Sequence, residues 1–485
     1  MKYIIKKMFF PYYNLLFLLF FNKNALSEPF LRCLKDQNSI NYYKLPFGIY
    51  GFPNNEELKS ISPEKLLYKL SKIKIKTNIT IGSNKQKLPT DISFEHYTLY
   101  VSSDKCKEKN IIKFNQDKST TFINQNKING YNFNQVCIKC NISQDYFYID
   151  NNNDKVQLSF VLGSLLKEEY EDVSAEIGLK PTKSKYDPSV NHILTQLKIK
   201  NLISGRMFML HFYKKNNFDG ELILGGYTDN YYKNNDKLKY FYISAENGNI
   251  EEWEFLLENA YYGKKYISQN NKVIISLKDM FIHTPYYMKK IIENEYFNEY
   301  VNKSICMLVN LNSTSSYFYV CDDVIDINKM NNFIFYPQNL NEPIEIIFTP
   351  KDLFYKFNDN KYLFLMEFNE HNNEWVFNLP FVMKYQPIFD MENKLISIYN
   401  NIDSINDIDF FRNEKTENTE INDINNNKNN NAHKLIAFVL LFFLLLILII
   451  IIKNIRKSIR KKNVKDKKDT KYLEFRDMSH YSDES

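Results

Sequence analysis

Glycine is scarce: the chain has 12 among 485 residues, where an average protein carries roughly 7%. Proline numbers 14 and tryptophan two. Collagen-like repeats and Gly/Ser linkers are thereby excluded. Wholesale disorder is excluded as well, because 44% of residues are hydrophobic and 16% are aromatic. Alanine is also rare, while Asn, Ile and Lys are heavily used, the bias of an AT-rich coding sequence. Composition alone does not explain where the glycines stop: none follows Gly263.

Cysteine is sparse too, at six: Cys33, Cys106, Cys137, Cys140, Cys306 and Cys321. Cys137–Cys140 is the one CxxC, and no His pair stands at zinc spacing, so no metal site is expected. No thioredoxin-like context surrounds the CxxC, so structural disulfides are expected instead of redox chemistry. Cys306 and Cys321 bracket a short segment and form a plausible local pair. No cofactor is expected.

A net positive charge is confined to one stretch. The formal net charge is +6, but Lys453–Lys471 holds ten Lys/Arg and two Asp, so the remainder sums to −2. A basic nucleic-acid-binding face is therefore not expected. The basic block follows Leu435–Ile452, an 18-residue apolar run without a charge. At 1.5 Å per residue the run spans about 27 Å, enough for a bilayer core. The N-terminus reads as a signal peptide over residues 1–27: Lys2, Lys6 and Lys7, an apolar run, then Ala25-Leu26-Ser27. Lys/Arg after the second span place the tail in the cytosol. The sequence thus predicts a type I membrane protein whose lumenal or extracellular part ends in an Asn-rich stalk, 401–434, before the transmembrane helix at 435–452 and a basic tail at 453–485. The expected membrane partners are the lipids around that helix and anionic headgroups near the tail.

Residues 28–72 show little periodicity up to about 60 and read as a pro-region or irregular lead, with Ser62-Pro63-Glu64 starting a short helix. Lys72–Lys76 and Asn78–Ile81 then alternate with period two, as strands do. Short β-rich runs continue to about residue 400, and helical patterns are few: Val190–Leu202 and Tyr286–Tyr300. The fold class is all-β. A strand-and-turn pattern near Ile92–Val101 returns near Val273–Ile282, about one lobe later.

Several segments resemble pepsin-like aspartic proteases. Ile81–Leu88 is similar to the family's "IGTPPQ-K-F", and Leu99–Cys106 to "LWVPSSKC", at matching spacing. Ile177-Gly178-Leu179 resembles "ILGL", and Asp219–Gly226 resembles "G-E-L-x-x-G-G". Trp253 is similar to the Trp that opens the second lobe. Trp375, Phe381, Tyr385, Phe389-Asp390 and Asn393 follow the family's C-terminal pattern. The resemblance covers residues 73–400. It implies a bilobal fold with lobes at 73–245 and 246–400, and a groove between them for an extended peptide or a partner protein.

Pepsin-like catalysis needs an Asp-Thr-Gly turn from each lobe, the two carboxylates sharing a proton. In the ungapped register these turns become Ser93-Phe94-Glu95 and Ser276-Leu277-Lys278. A serine hydroxyl does not replace a carboxylate as base. The register implies a degenerate dyad at Ser93 and Ser276, with no catalytic residues. Asp91 and Asp279 are the nearest substitute carboxylates, each needing a shifted register. Tyr131 and Phe133 fall near the family's flap tyrosine, and His96 and Tyr97 near the groove. Three readings follow: a pseudoprotease that binds in the groove, an aspartic endopeptidase using Asp91 and Asp279, and a membrane-anchored scaffold acting through loops.

Overall fold

The computed structural model describes residues 41–399, apart from 107–110, 126–136, 149–154, 167–172, 182–191, 214–215, 228–237, 245–250, 270–271, 312–314, 340–342 and 359. The predicted signal peptide and stalk, the apolar run and the basic tail lie outside the described residues, as do Tyr131 and Phe133. Among the described residues, no helix is long and apolar enough to cross a membrane.

The protein is mostly β, as predicted, and its strands form a 13-stranded and a 12-stranded sheet. Alternation in the sequence becomes alternation in burial. Strand Lys74–Ile81 turns Ile75, Thr77, Ile79 and Ile81 inward and leaves Asn78 exposed. The two predicted helical stretches are present, as Ile193–Ile199 and as a run from Tyr287 to Asn302 whose middle, Glu293–Phe297, is π-helical.

Both sheets contain the same crossed arrangement. In the first, strand Gln86–Ser93 runs parallel to Ala175–Gly178, and Leu99–Ser102 pairs antiparallel to that same strand. In the second, Lys272–Ile275 runs parallel to Trp375–Phe377, and Ile282–Thr284 pairs antiparallel to it. The offset is constant at 183 positions, both from Ser93 to Ser276 and from Leu99 to Ile282. Each motif therefore presents an equivalent loop, 93–98 or 276–281, where its first two strands are joined.

Two features depart from the sequence reading. The lead is not irregular from Tyr43 onward. Tyr43–Tyr50 forms a strand between Asn216–Leu224 and Lys74–Ile81, burying Leu45 and Phe47. Pro46 and Gly48 lower the β-propensity of this segment, which is why local patterning misses it. Helices Asn55–Ser60 and Pro63–Leu70 follow, each capped by the Asn54 or Ser62 side chain. The second departure concerns the lobe at 246–400, which gives its last two strands to the first sheet. Ile388–Asp390 pairs with Met207–Tyr213, and Leu395–Tyr399 pairs with Leu238–Tyr242.

Both tryptophans are fully buried. Trp253 packs with Phe208 and Phe389, whose rings stack at 4.8 Å, and its Nε1–H donates to the Leu179 carbonyl at 2.8 Å.

Candidate functional site

The two equivalent loops share one burial pattern. Ser93 and Ser276 are half-buried, Phe94 and Leu277 buried, Glu95 and Lys278 exposed, His96 and Asp279 buried. Each serine hydroxyl is occupied inside its own loop. Ser93 Oγ accepts from the Glu95 N–H at 3.0 Å, and Ser276 Oγ accepts from the Lys278 N–H at 3.2 Å. Neither Glu95 nor Lys278 adopts a positive φ, so a side chain is tolerated at both positions without glycine.

The residue after each serine is apolar and packs into the core. Phe94 lies 5.0 Å from Phe389 and 6.4 Å from Trp253, ring centre to ring centre. Aromatic packing therefore stands where the resemblance expects the hydroxyl of the first Asp-Thr-Gly turn.

His96 is 8% exposed, and its Nδ1 meets Glu176 Oε1 at 2.7 Å. Burial alone would lower the His96 pKa, but the Glu176 hydrogen bond and charge, with help from Glu95, outweigh it and raise the value above 6.5. His96 is therefore a buried side chain held by the Glu176 carboxylate. Tyr97 is half-buried.

Asp279 stands 183 positions after His96. Its Oδ1 accepts from the Phe281 N–H at 2.8 Å and from Asn378 Nδ2 at 3.0 Å, and its Oδ2 meets His283 Nε2 at 2.9 Å. His283 Nε2 also meets Glu367 Oε2 at 2.9 Å. Burial pulls the His283 pKa down, but the Asp279 and Glu367 carboxylates reverse this and raise it to about 10. Glu367 is held below its usual range despite burial, by His283 and by the Ser316 hydroxyl that donates to its Oε1.

Asn378 occupies the register of Gly178, because Ser93 pairs with Gly178 and Ile275 with Phe377. At Gly178 a Cβ would lie 2.5 Å from the His96 carbonyl oxygen, so that strand keeps its glycine. In the second motif the Asn378 amide instead spans Asp279 and the Phe281 carbonyl.

Asp91 lies within strand Gln86–Ser93, at 3.3 Å from both Lys74 Nζ and Lys76 Nζ. The structure does not bring it into the Ser93 loop. The lead reaches the second loop: the Met280 N–H donates to the Leu70 carbonyl at 3.3 Å.

The predicted disulfide joins Cys306 to Cys321, which face each other on paired strands. Cys140 is disulfide-bonded as well.

A family model for eukaryotic aspartyl proteases matches residues 75–400. The chain belongs to this family. Comparison with curated proteins finds no match. The resemblance expects the two aspartates at Ser93 and Ser276, which begin the two equivalent loops. The Asp279–His283–Glu367 group escaped sequence reading because Glu367 lies 84 positions after His283 and His283 stands alone in its stretch.

Proposed function

We propose that this aspartyl protease homologue is non-catalytic and binds an extended peptide or a partner protein in the groove between its lobes. What carries the reading is the matched state of the two loops: both dyad positions are serine, and each hydroxyl accepts a hydrogen bond from its own loop. Without two carboxylates there is no shared proton to activate water. The substitute carboxylates are already engaged, Asp91 by two lysines and Asp279 by His283. A groove flanked by strand edges binds extended chains through main-chain hydrogen bonds without needing chemistry. We further infer that Leu435–Ile452 anchors the protein, with the lobes lumenal or extracellular and the basic tail against anionic cytosolic lipid.

The test is incubation of the purified protein with a diverse peptide library at about pH 4–6, the range in which a shared-proton dyad works. No cleavage sensitive to a statine-type transition-state mimic is expected, whereas retention of extended peptides is. Cleavage abolished by Asp91→Ala or Asp279→Ala would overturn the proposal. Absence of both cleavage and peptide retention favours a scaffold acting through its loops.

A further inference from the structure

Beside the second loop, three side chains from two stretches of the chain bring one donor atom each to a common centre. Asp279 comes from the loop, His283 from strand Ile282–Thr284 and Glu367 from strand Met366–Asn369. The last two strands are parallel neighbours with His283 directly opposite Glu367, so the backbone register itself brings this pair together. The three donor atoms lie within 4.8 Å of one another. Donors around a tetrahedral zinc at about 2.0–2.2 Å stand roughly 3.4 Å apart, so the group is on the scale of a metal's ligand set.

We propose that Asp279, His283 and Glu367 form a binding site for a divalent first-row transition metal ion of the zinc type, with one position left for water.

Three observations carry this. First, each carboxylate is divided in the manner of a metal ligand. One oxygen is fixed by a neighbour, Asp279 Oδ1 by the Asn378 amide and the Phe281 N–H, Glu367 Oε1 by the Ser316 hydroxyl. The other oxygen is directed at His283 Nε2, at 2.9 Å in both cases. Such supporting hydrogen bonds orient ligands and set their basicity. Second, one N–H hydrogen serves two carboxylate oxygens, and linear geometry is open to only one of them. An ion in place of that hydrogen contacts all three atoms, and its two charges balance two carboxylates and a neutral imidazole. Third, the Asn378 amide that steadies Asp279 carries a buried Oδ1 with no hydrogen-bond partner, an unsatisfied acceptor adjoining the cluster. Zn²⁺ is bound by His nitrogen and Asp or Glu oxygen, the donor types present. The site is reachable, since the His283 and Glu367 side chains remain 20% and 13% exposed.

The absence of a paired-histidine motif, from which no metal is expected, does not bear on this mixed carboxylate–imidazole set. The inference is independent of what the groove binds.

The test uses the untagged full-length chain, stripped with a chelator and titrated calorimetrically with Zn²⁺ at about pH 7.5. One ion per chain is expected, with about one proton released as the ion displaces the Nε2 hydrogen. Ser316→Ala, which keeps all three ligands, should weaken binding about 10–100-fold. His283→Gln should abolish it. X-ray absorption on the zinc-loaded wild type needs no variant: one imidazole nitrogen and two or three oxygens at about 2.0–2.2 Å are expected. No stoichiometric binding, a sulfur or second-imidazole ligand, or unchanged affinity in His283→Gln would each overturn the proposal.

Discussion

His96 and Asp279 are equivalent in position and opposite in chemistry. Each is the fourth residue of its loop counted from the serine, each is buried, and each closes an imidazole–carboxylate pair, with Glu176 in one motif and His283 in the other. A pepsin-like centre balances the charges of its two loops against each other through one proton. Here each loop settles its buried charge with a neighbour in its own sheet. Each pair is therefore testable alone.

The His96–Glu176 pair predicts a pH dependence of stability. The folded pKa of His96 lies above its unfolded value of 6.5, because Glu176 outweighs the cost of burial. Its stabilisation is complete below about pH 6.5 and is lost as pH rises through the folded value. Glu176→Ala leaves a buried imidazolium without its partner and should cost about 3–5 kcal/mol at pH 6. Urea unfolding at pH 6 and pH 9 checks this. The cost should be smaller at pH 9, and equal costs at both would show that the His96 charge contributes nothing.

His192 should act in the opposite direction. It caps helix Ile193–Ile199 through Nδ1, which accepts from the Leu194 N–H at 3.2 Å. Burial, reinforced by the Arg206 guanidinium, pushes its pKa down to about 3. A depressed folded value gives stability that is present above pH 6.5 and lost as pH falls toward 3. Between pH 7 and 4.5 the loss is about 2–3 kcal/mol, at 1.36 kcal/mol per pH unit. His192→Asn keeps a capping side chain that does not titrate. Thermal unfolding should show the variant less acid-sensitive than the wild type, and parallel curves down to pH 4.5 would rule the effect out.

Placing aspartates back at both loop serines should not restore proteolysis. In Ser93→Asp/Ser276→Asp the new carboxylates enter loops whose next residues, Phe94 and Leu277, are packed in the core instead of offering hydroxyls. A working dyad tolerates misplacement of only about 0.5 Å. Peptide cleavage at about pH 4–5, where a shared-proton dyad operates, should stay at the wild-type background. Cleavage above it would mean that the loops are poised for chemistry and lack only the acids.

The family frame was legible because its motifs are local. Phe389-Asp390 and Asn393 were readable as a unit, and they form one turn in which Asn393 donates twice to the Asp390 carboxylate. The strand pattern repeated near Ile92 and Val273 was readable for the same reason. The glycine shortage was legible as a fact but not in its consequence. Left-handed turns are still built in the second lobe, with Ser304, Ser315, Gln386 and Lys394 at positive φ in place of glycine. The Asp279–His283–Glu367 group was not legible, because strand pairing across more than 80 positions assembles it. The burial of His96 was hidden likewise, since its partner Glu176 lies on another strand.

The lead should prove inseparable from the body. Strand Tyr43–Tyr50 has neighbours on both sides, so its loss would leave two strand edges unpaired inside a sheet. Leu66, Leu67 and Leu70 of the following helix are at most 1% exposed. Leu67→Ala should therefore cost about 2–5 kcal/mol, the range for a buried leucine truncated to alanine. Limited proteolysis that cuts elsewhere should leave residues 43–71 attached to the folded protein. If a protease instead released this segment and the remainder kept its unfolding temperature, the lead would be a removable pro-region. Its helix would then be a passive cover on the Met280 loop, not part of the core.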